Sequence, residues 1–190
     1  PGKWGESRRG GLVADAGRDS TRHMGVQLAY MNSGGVRRYL EAGPGGMVTF
    51  GQTQVVLPFA NTTVLMNLTG AQIRRLLERQ WPNGVDEVRS VLQVSEGFSY
   101  AWDAKRPEGS RIVPGSLKLD GKPLEDKVSY RIATNNFLAE GSDGYPEFGQ
   151  GTDRVETGML DLEGFIAYLK KIEGQGASVA PAAPRISKVN

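Results

Sequence analysis

The chain contains no cysteine and a single histidine, His23. The first absence excludes disulfides, thiolate metal sites and cysteine nucleophiles together, although it leaves the compartment open. The second means that any histidine-based metal site or Ser-His-Asp set has to be built around His23, and no partner motif stands near it. Acidic residues offer no substitute, because Asp86 with Glu87, Glu125 with Asp126 and Asp161 with Glu163 lack the spacing of a calcium loop or metal-binding carboxylate set. Walker-type and G-x-G-x-x-G loops are also missing. No apolar run approaches the roughly 20 residues of a membrane span. A net charge of +2 gives neither nucleic acid nor a membrane surface a foothold. These residues carry no visible hydrolytic machinery.

What remains is an ordinary globular composition, 38% apolar and 23% charged over 190 residues, enough to bury roughly 70% of the unfolded surface in one core. The 26 glycines point to many turns and tight loops. Residues 1–9 read as an incoming linker, and Leu12, Val13 and Ala16 mark one side of a short helix running to about Arg22. Residues 26–31 read as a buried strand ending at Asn32-Ser33-Gly34-Gly35, with Arg37 and Arg38 beyond. Residues 42–46 form another glycine-rich loop, and Pro58 holds Leu57 extended. A strand follows over 62–68. Thr69 and Gln72 then have capping-box spacing before the apolar stripe Ile73, Leu76, Leu77 and Trp81, with Arg74, Arg75, Glu78 and Arg79 outside and Pro82-Asn83-Gly84 as the stop. From 91 to 127 the pattern is β: strands over 92–95 and 99–102, and a hairpin turning at Asp120-Gly121 whose Pro123 confines that arm to an edge. Leu162, Phe165, Ile166, Leu169 and Ile172 mark a final amphipathic helix closed by Gly174. Strands and helices mix without regular alternation, so the fold class is α+β, a mixed sheet with helices packed on it. The domain spans 1–174, and 175–190 is an Ala/Pro-rich extended tail.

The most informative stretch is 128–148, VSYRIATNNFLAEGSDGYPEF. A strand with Val128, Tyr130 and Ile132 on one face breaks into Asn135, Asn136 and Phe137, then the turn Gly141-Ser142-Asp143-Gly144. Phe137 offers a flat apolar face, and Asp143 offers two acceptor oxygens suited to a pair of hydroxyls, the demands of a nucleoside. The alternative is a loop with its phenylalanine in the core and its aspartate shaping a turn.

Three separated segments, NSGGVR at 32–37, LPFANTTVLMNLTG at 57–70 and NNFLAEGSDGY at 135–145, resemble the C-terminal domain of the 5′-nucleotidases. Supporting pieces are GLVADA at 11–16, LQVSEGFSYAWD at 92–103 and PRI at 184–186. The resemblance implies a division of labour in which an N-terminal metallophosphoesterase domain holds two divalent metal ions and hydrolyses the ester. The C-terminal domain needs no cofactor and binds the nucleoside or nucleotide. By motif position, Phe59 and Phe137 sandwich the base, Asp143 takes the ribose hydroxyls, Asn32 touches the base and Arg37 faces the ribose or phosphate. Gly34, Gly35 and Asn136 are secondary candidates.

Some residues depart from the family pattern. Arg9-Gly10-Gly11-Leu12 stands where LGNL is common, GSDGY replaces GGDGF, and an upstream arginine falls near Gly5, with Lys3, Arg8 and Arg9 as stand-ins. With Pro1 opening the chain, the expectation is a piece of a longer nucleotidase, periplasmic or at the cell surface and inactive alone. A sibling phosphodiesterase, a UDP-sugar or NAD hydrolase, or a non-catalytic sensing or adhesion module fits the same pattern.

Overall fold

Alternation along the strands sorts the apolar residues onto two faces, and that sorting builds the layers. The structure, a computed structural model, describes residues 6–38, 40, 43, 47–81, 91–175 and 184–190. The stop at Pro82-Asn83-Gly84, the loop at 42–46 apart from Gly43, and Lys3 and Gly5 lie outside the described residues. Five α-helices are described: α1 Arg8–Thr21, α2 Phe50–Val56, α3 Gly70–Glu78, α4 Asn136–Ala139 and α5 Asp161–Gly174. The strands are β1 Leu28–Asn32, β2 Thr62–Thr69, β3 Leu92–Val94, β4 Phe98–Trp102, β5 Lys118–Leu119, β6 Lys122–Pro123, β7 Ser129–Asn135, β8 Thr152–Leu160 and β9 Ile186–Lys188. Strand order is β3-β1-β7-β2-β8 in the larger sheet and β6-β5-β4-β9 in the smaller. Both are mixed, as the α+β expectation requires: β1 pairs β7 in parallel and β2 pairs β7 antiparallel, while β4 pairs β5 antiparallel and β9 in parallel.

Leu28 and Tyr30 of β1 and Val64, Met66 and Leu68 of β2 share one core with Ile73, Leu76 and Leu77 of α3, Phe98 and Tyr100 of β4, and Tyr145 and Phe148. On the opposite side, Met31 joins Val13, Ala14 and Ala16 of α1, Val56, Leu57 and Phe165 of α5 in a second core. Such burial supplies roughly 1.5–3 kcal/mol per large side chain relative to exposure. Small residues along α1 bring it close to the sheet, where a Cβ on Gly17 would stand only 3.7 Å from that of Ala29.

Several expectations are corrected. The linker ends sooner than residue 9, because Ser7 caps α1 by accepting from the Gly10 amide. Glu78, expected outside, turns back and accepts from the backbone amides of Arg111 and Ile112, each at 2.8 Å. β8 has no counterpart in the sequence reading. Nor is the end of the chain a free tail: Ile186 is buried and β9 pairs with β4, although 176–183 lie outside the described residues. The hairpin conforms, with Asp120 and Gly121 both at positive φ and Pro123 on the edge strand. Among the described residues, no helix is long and apolar enough to cross a membrane.

Candidate functional site

Parallel pairing of β1 with β7 ends both strands at the same rim, and antiparallel β2 starts there. Asn32 closes β1, Asn135 closes β7, and Thr63 of β2 stands opposite Asn135. Three loops are therefore delivered side by side: 33–37 after β1, 57–61 before β2 and 136–145 after β7. Cross-ties hold them. The Asn136 side-chain oxygen accepts from the Thr62 amide at 3.2 Å, and the Arg37 amide donates to the Val56 carbonyl at 3.0 Å.

A chain of side-chain amides runs beneath the rim. Asn135 caps α4, its Oδ1 accepting from the Leu138 amide at 2.8 Å, while its Nδ2 donates to Asn32 Oδ1 at 2.9 Å. Asn32 Nδ2 in turn donates to Asp143 Oδ2 at 2.9 Å. Asn32, expected at the base, is only 5% exposed, and both ends of its amide are engaged, one of them on the Asp143 carboxylate. Asp143 adopts φ 57°, a left-handed conformation that aspartate tolerates better than most residues. The turn-shaping alternative is thus half right. Asp143 shapes the turn and also presents an exposed carboxylate, whose acceptor capacity one amide does not exhaust.

The exposure of the aromatic residues bears on the two readings of the 137–143 loop. Phe137 is 42% exposed and Phe59 52% exposed, so neither ring is in the core. The Arg37 guanidinium carbon sits 5.4 Å from the centre of the Phe59 ring, a cation–π contact. One ring is thereby backed by charge. Of the secondary candidates, Gly35 makes room for the relay: a Cβ there would come within 2.5 Å of Met31 Cε and 2.7 Å of Asn32 Oδ1. Gly34 lies beside the Asn32 amide without such crowding, and Asn136 serves as a loop tie. Sequence reasoning missed Asn135 as the hub. Its signal was an asparagine placed at a strand end directly before a helix, an N-cap position.

A cleft of about 230 Å³ between α1 and α5 is lined by Asp15, Arg18, Asp19, Glu96, Tyr168 and Lys171. Its charges answer one another: Lys171 pairs with Asp19, Arg185 with Asp15 at 2.7 Å, and Arg18 with Asp120 at 3.7 Å. With Arg22 and Glu96 also on the lining, it presents three positive and three negative side chains and no excess of either sign. His23 is exposed in the turn Arg22–Met24. Among the described residues no group of three or more His, Asp or Glu is placed to hold a metal ion, so no metal step is assigned to them.

A family model described as the 5′-nucleotidase C-terminal domain matches residues 1–150. The chain is 32% identical over 183 residues to the trifunctional nucleotide phosphoesterase protein YfkN of Bacillus subtilis, covering 93% of this chain and 12% of that protein. It is 30% identical over 176 residues to protein UshA of Escherichia coli, covering 92% and 29%. The crystal structure of a 5′-nucleotidase precursor from Thermus thermophilus superimposes with a TM-score of 0.77 at 37% identity, covering 97% of this chain and 36% of that one. The chain thus spans about a third or less of each.

Proposed function

This chain belongs to the family of 5′-nucleotidase C-terminal domains, and from that premise we propose that it is the substrate-recognition part of a metal-dependent nucleotide phosphohydrolase. It binds the nucleoside or nucleotide, and hydrolysis is the work of two divalent metal ions in an N-terminal metallophosphoesterase domain of the same protein. Phe59 and Phe137 stack on the base. Asp143, held by Asn32 and Asn135, accepts from the ribose hydroxyls. Arg37 backs Phe59 and stands ready for phosphate, since a planar guanidinium matches a phosphate edge. A periplasmic or cell-surface location completes the proposal and rests on the family resemblance.

One observation carries the reading. Two half-exposed phenylalanines and a braced, exposed carboxylate come from loops tied to one another at one sheet rim. Stacking is worth about 1–3 kcal/mol per base by alanine substitution, which corresponds to roughly 5- to 150-fold in affinity. Calorimetric titration of the 190-residue chain with adenosine, without added metal, should show saturable binding. Phe59→Ala and Phe137→Ala should each weaken it by that factor with the circular dichroism spectrum unchanged. Equal binding by wild type and both variants would defeat the aromatic clamp.

A further inference from the structure

Asp161 carries a half-buried carboxylate, one oxygen of it sealed from solvent, that the proposed site does not use. It opens α5 directly after β8, where Leu160 pairs with Thr62. Its backbone amide donates to the Asn61 carbonyl at 2.9 Å. The Leu162 backbone and the Asn61 side chain favour its charged form, against the larger effect of desolvation. Asn61 is two residues from Phe59, next to Ala60, which is held at φ 52°. Oδ1 of Asp161 is sealed from solvent with no hydrogen-bond partner. An unpartnered buried acceptor is costly, and more so when charged.

Asp161 also lines a cavity of about 30 Å³ shared with Ser20, Thr63, Thr134 and Asn135, room for about one water molecule. The same Asn135 starts the amide chain that ends on Asp143. This single carboxyl therefore binds the Phe59 loop and borders the anchor of the Asp143 loop. Of the other residues lining the cavity, only Tyr30 of β1 ionises, and none from α1, β2 or β7 carries a charge. On α5 itself, the neighbouring Glu163 is occupied with the Leu160 amide. Among the described residues that line the cavity, no cation is placed to answer a charge on Asp161.

We propose that Asp161 is a positioning residue for the Phe59 arm, acting as a proton-operated latch that closes when its carboxyl is neutral and loosens when it is charged. The neutral form removes a charge that is partly desolvated and has no cation beside it in the cavity, so Asn61 and α5 stay docked. The charged form gains by admitting water, which requires the docking to loosen. Burial raises the Asp161 carboxyl from the ordinary 3.8 to about 6, which puts the changeover within a mildly acidic range. Whichever state binds the ligand better is favoured by the ligand, and protons that favour the same state raise its affinity.

The ligand arm of the test rests on the proposed nucleoside site, so a ligand-free arm runs beside it. Adenosine is titrated into wild type, Asp161→Asn and Asp161→Ala at pH 5.5 and 7.5, and amide hydrogen-exchange protection is read at Asn61, Thr62 and Asp161 without ligand. Wild type should bind several-fold more tightly, and protect these amides better, at pH 5.5. Asp161→Asn, which mimics the neutral carboxyl, should hold the tight, protected state at both pH values. Asp161→Ala should lose it at both. If no chain binds adenosine yet protection follows this pattern, the latch stands and the nucleoside reading falls. Adenosine binding indifferent to pH and to both substitutions, or protection alike in all three chains, overturns the latch.

Discussion

Replacing Arg185 by alanine removes the residue that fastens the end of the chain to its beginning. Its guanidinium donates to both Asp15 carboxylate oxygens, at 2.8 and 2.7 Å, to the Val94 carbonyl at 2.7 Å and to the Gly11 carbonyl at 3.4 Å. The side chains of Arg185 and Asp15 are only 15% and 11% exposed, so the pair is largely desolvated. In the variant, Asp15 keeps the Glu96 amide at 2.6 Å but no guanidinium, and the Val94 carbonyl loses this donor. Breaking a buried pair from one side costs about 3–5 kcal/mol. With a urea dependence of about 2 kcal/mol per molar, the unfolding midpoint should fall by roughly 1.5–2.5 M. The double variant Asp15→Leu/Arg185→Met, which leaves no charge behind, should lose less than Arg185→Ala alone. A loss below about 1 kcal/mol on Arg185→Ala would refute the claim that β9 is an integral strand of this domain.

Two further outcomes follow from the same geometry. Gly35→Ala pushes a methyl group into Met31 and the Asn32 oxygen, so it should lower adenosine affinity by about tenfold, the worth of one disturbed charge-assisted hydrogen bond, while Phe59 and Phe137 stay in place; calorimetry checks it. For Asp161, the folded chain holds the proton up to about pH 6 whereas the unfolded chain releases it near 3.8. The stability this group contributes is therefore present in acid and lost as pH rises from 3.8 through 6, by about 2 kcal/mol between pH 4 and 7. Urea midpoints of wild type should accordingly drop against Asp161→Asn over that interval, and a constant difference would contradict the burial of the carboxyl.

Much of the fold was legible because local chemistry and burial agree there. The Thr69–Gln72 capping box is present as spaced, and α3, α5 and the Asp120-Gly121 hairpin fall where periodicity and turn residues put them. The same box at Thr49–Gln52 starts α2 but went unread. That helix has only seven residues, and its Thr53, Val55 and Val56 look extended in front of Pro58. β8 was invisible for a different reason. It is an exposed edge strand, polar over Thr152–Glu156 apart from Val155, with two register shifts against β2, so no alternation marks it. At the site, residue types were readable and roles were not. Phe59, Phe137 and Asp143 share the rim, but only the tertiary arrangement brings Asn32 onto the Asp143 carboxylate. Asp161 looked like one of several scattered acids because nothing in its neighbours' sequence reports burial.

The most direct measurement is an amide NMR titration of the 190-residue chain with adenosine. The account predicts saturable shifts confined to residues 32–37, 58–62 and 135–145. Saturable shifts centred instead on Asp19, Glu96 and Lys171 in the α1–α5 cleft, or no saturable shift anywhere, would contradict a nucleoside site at the strand ends.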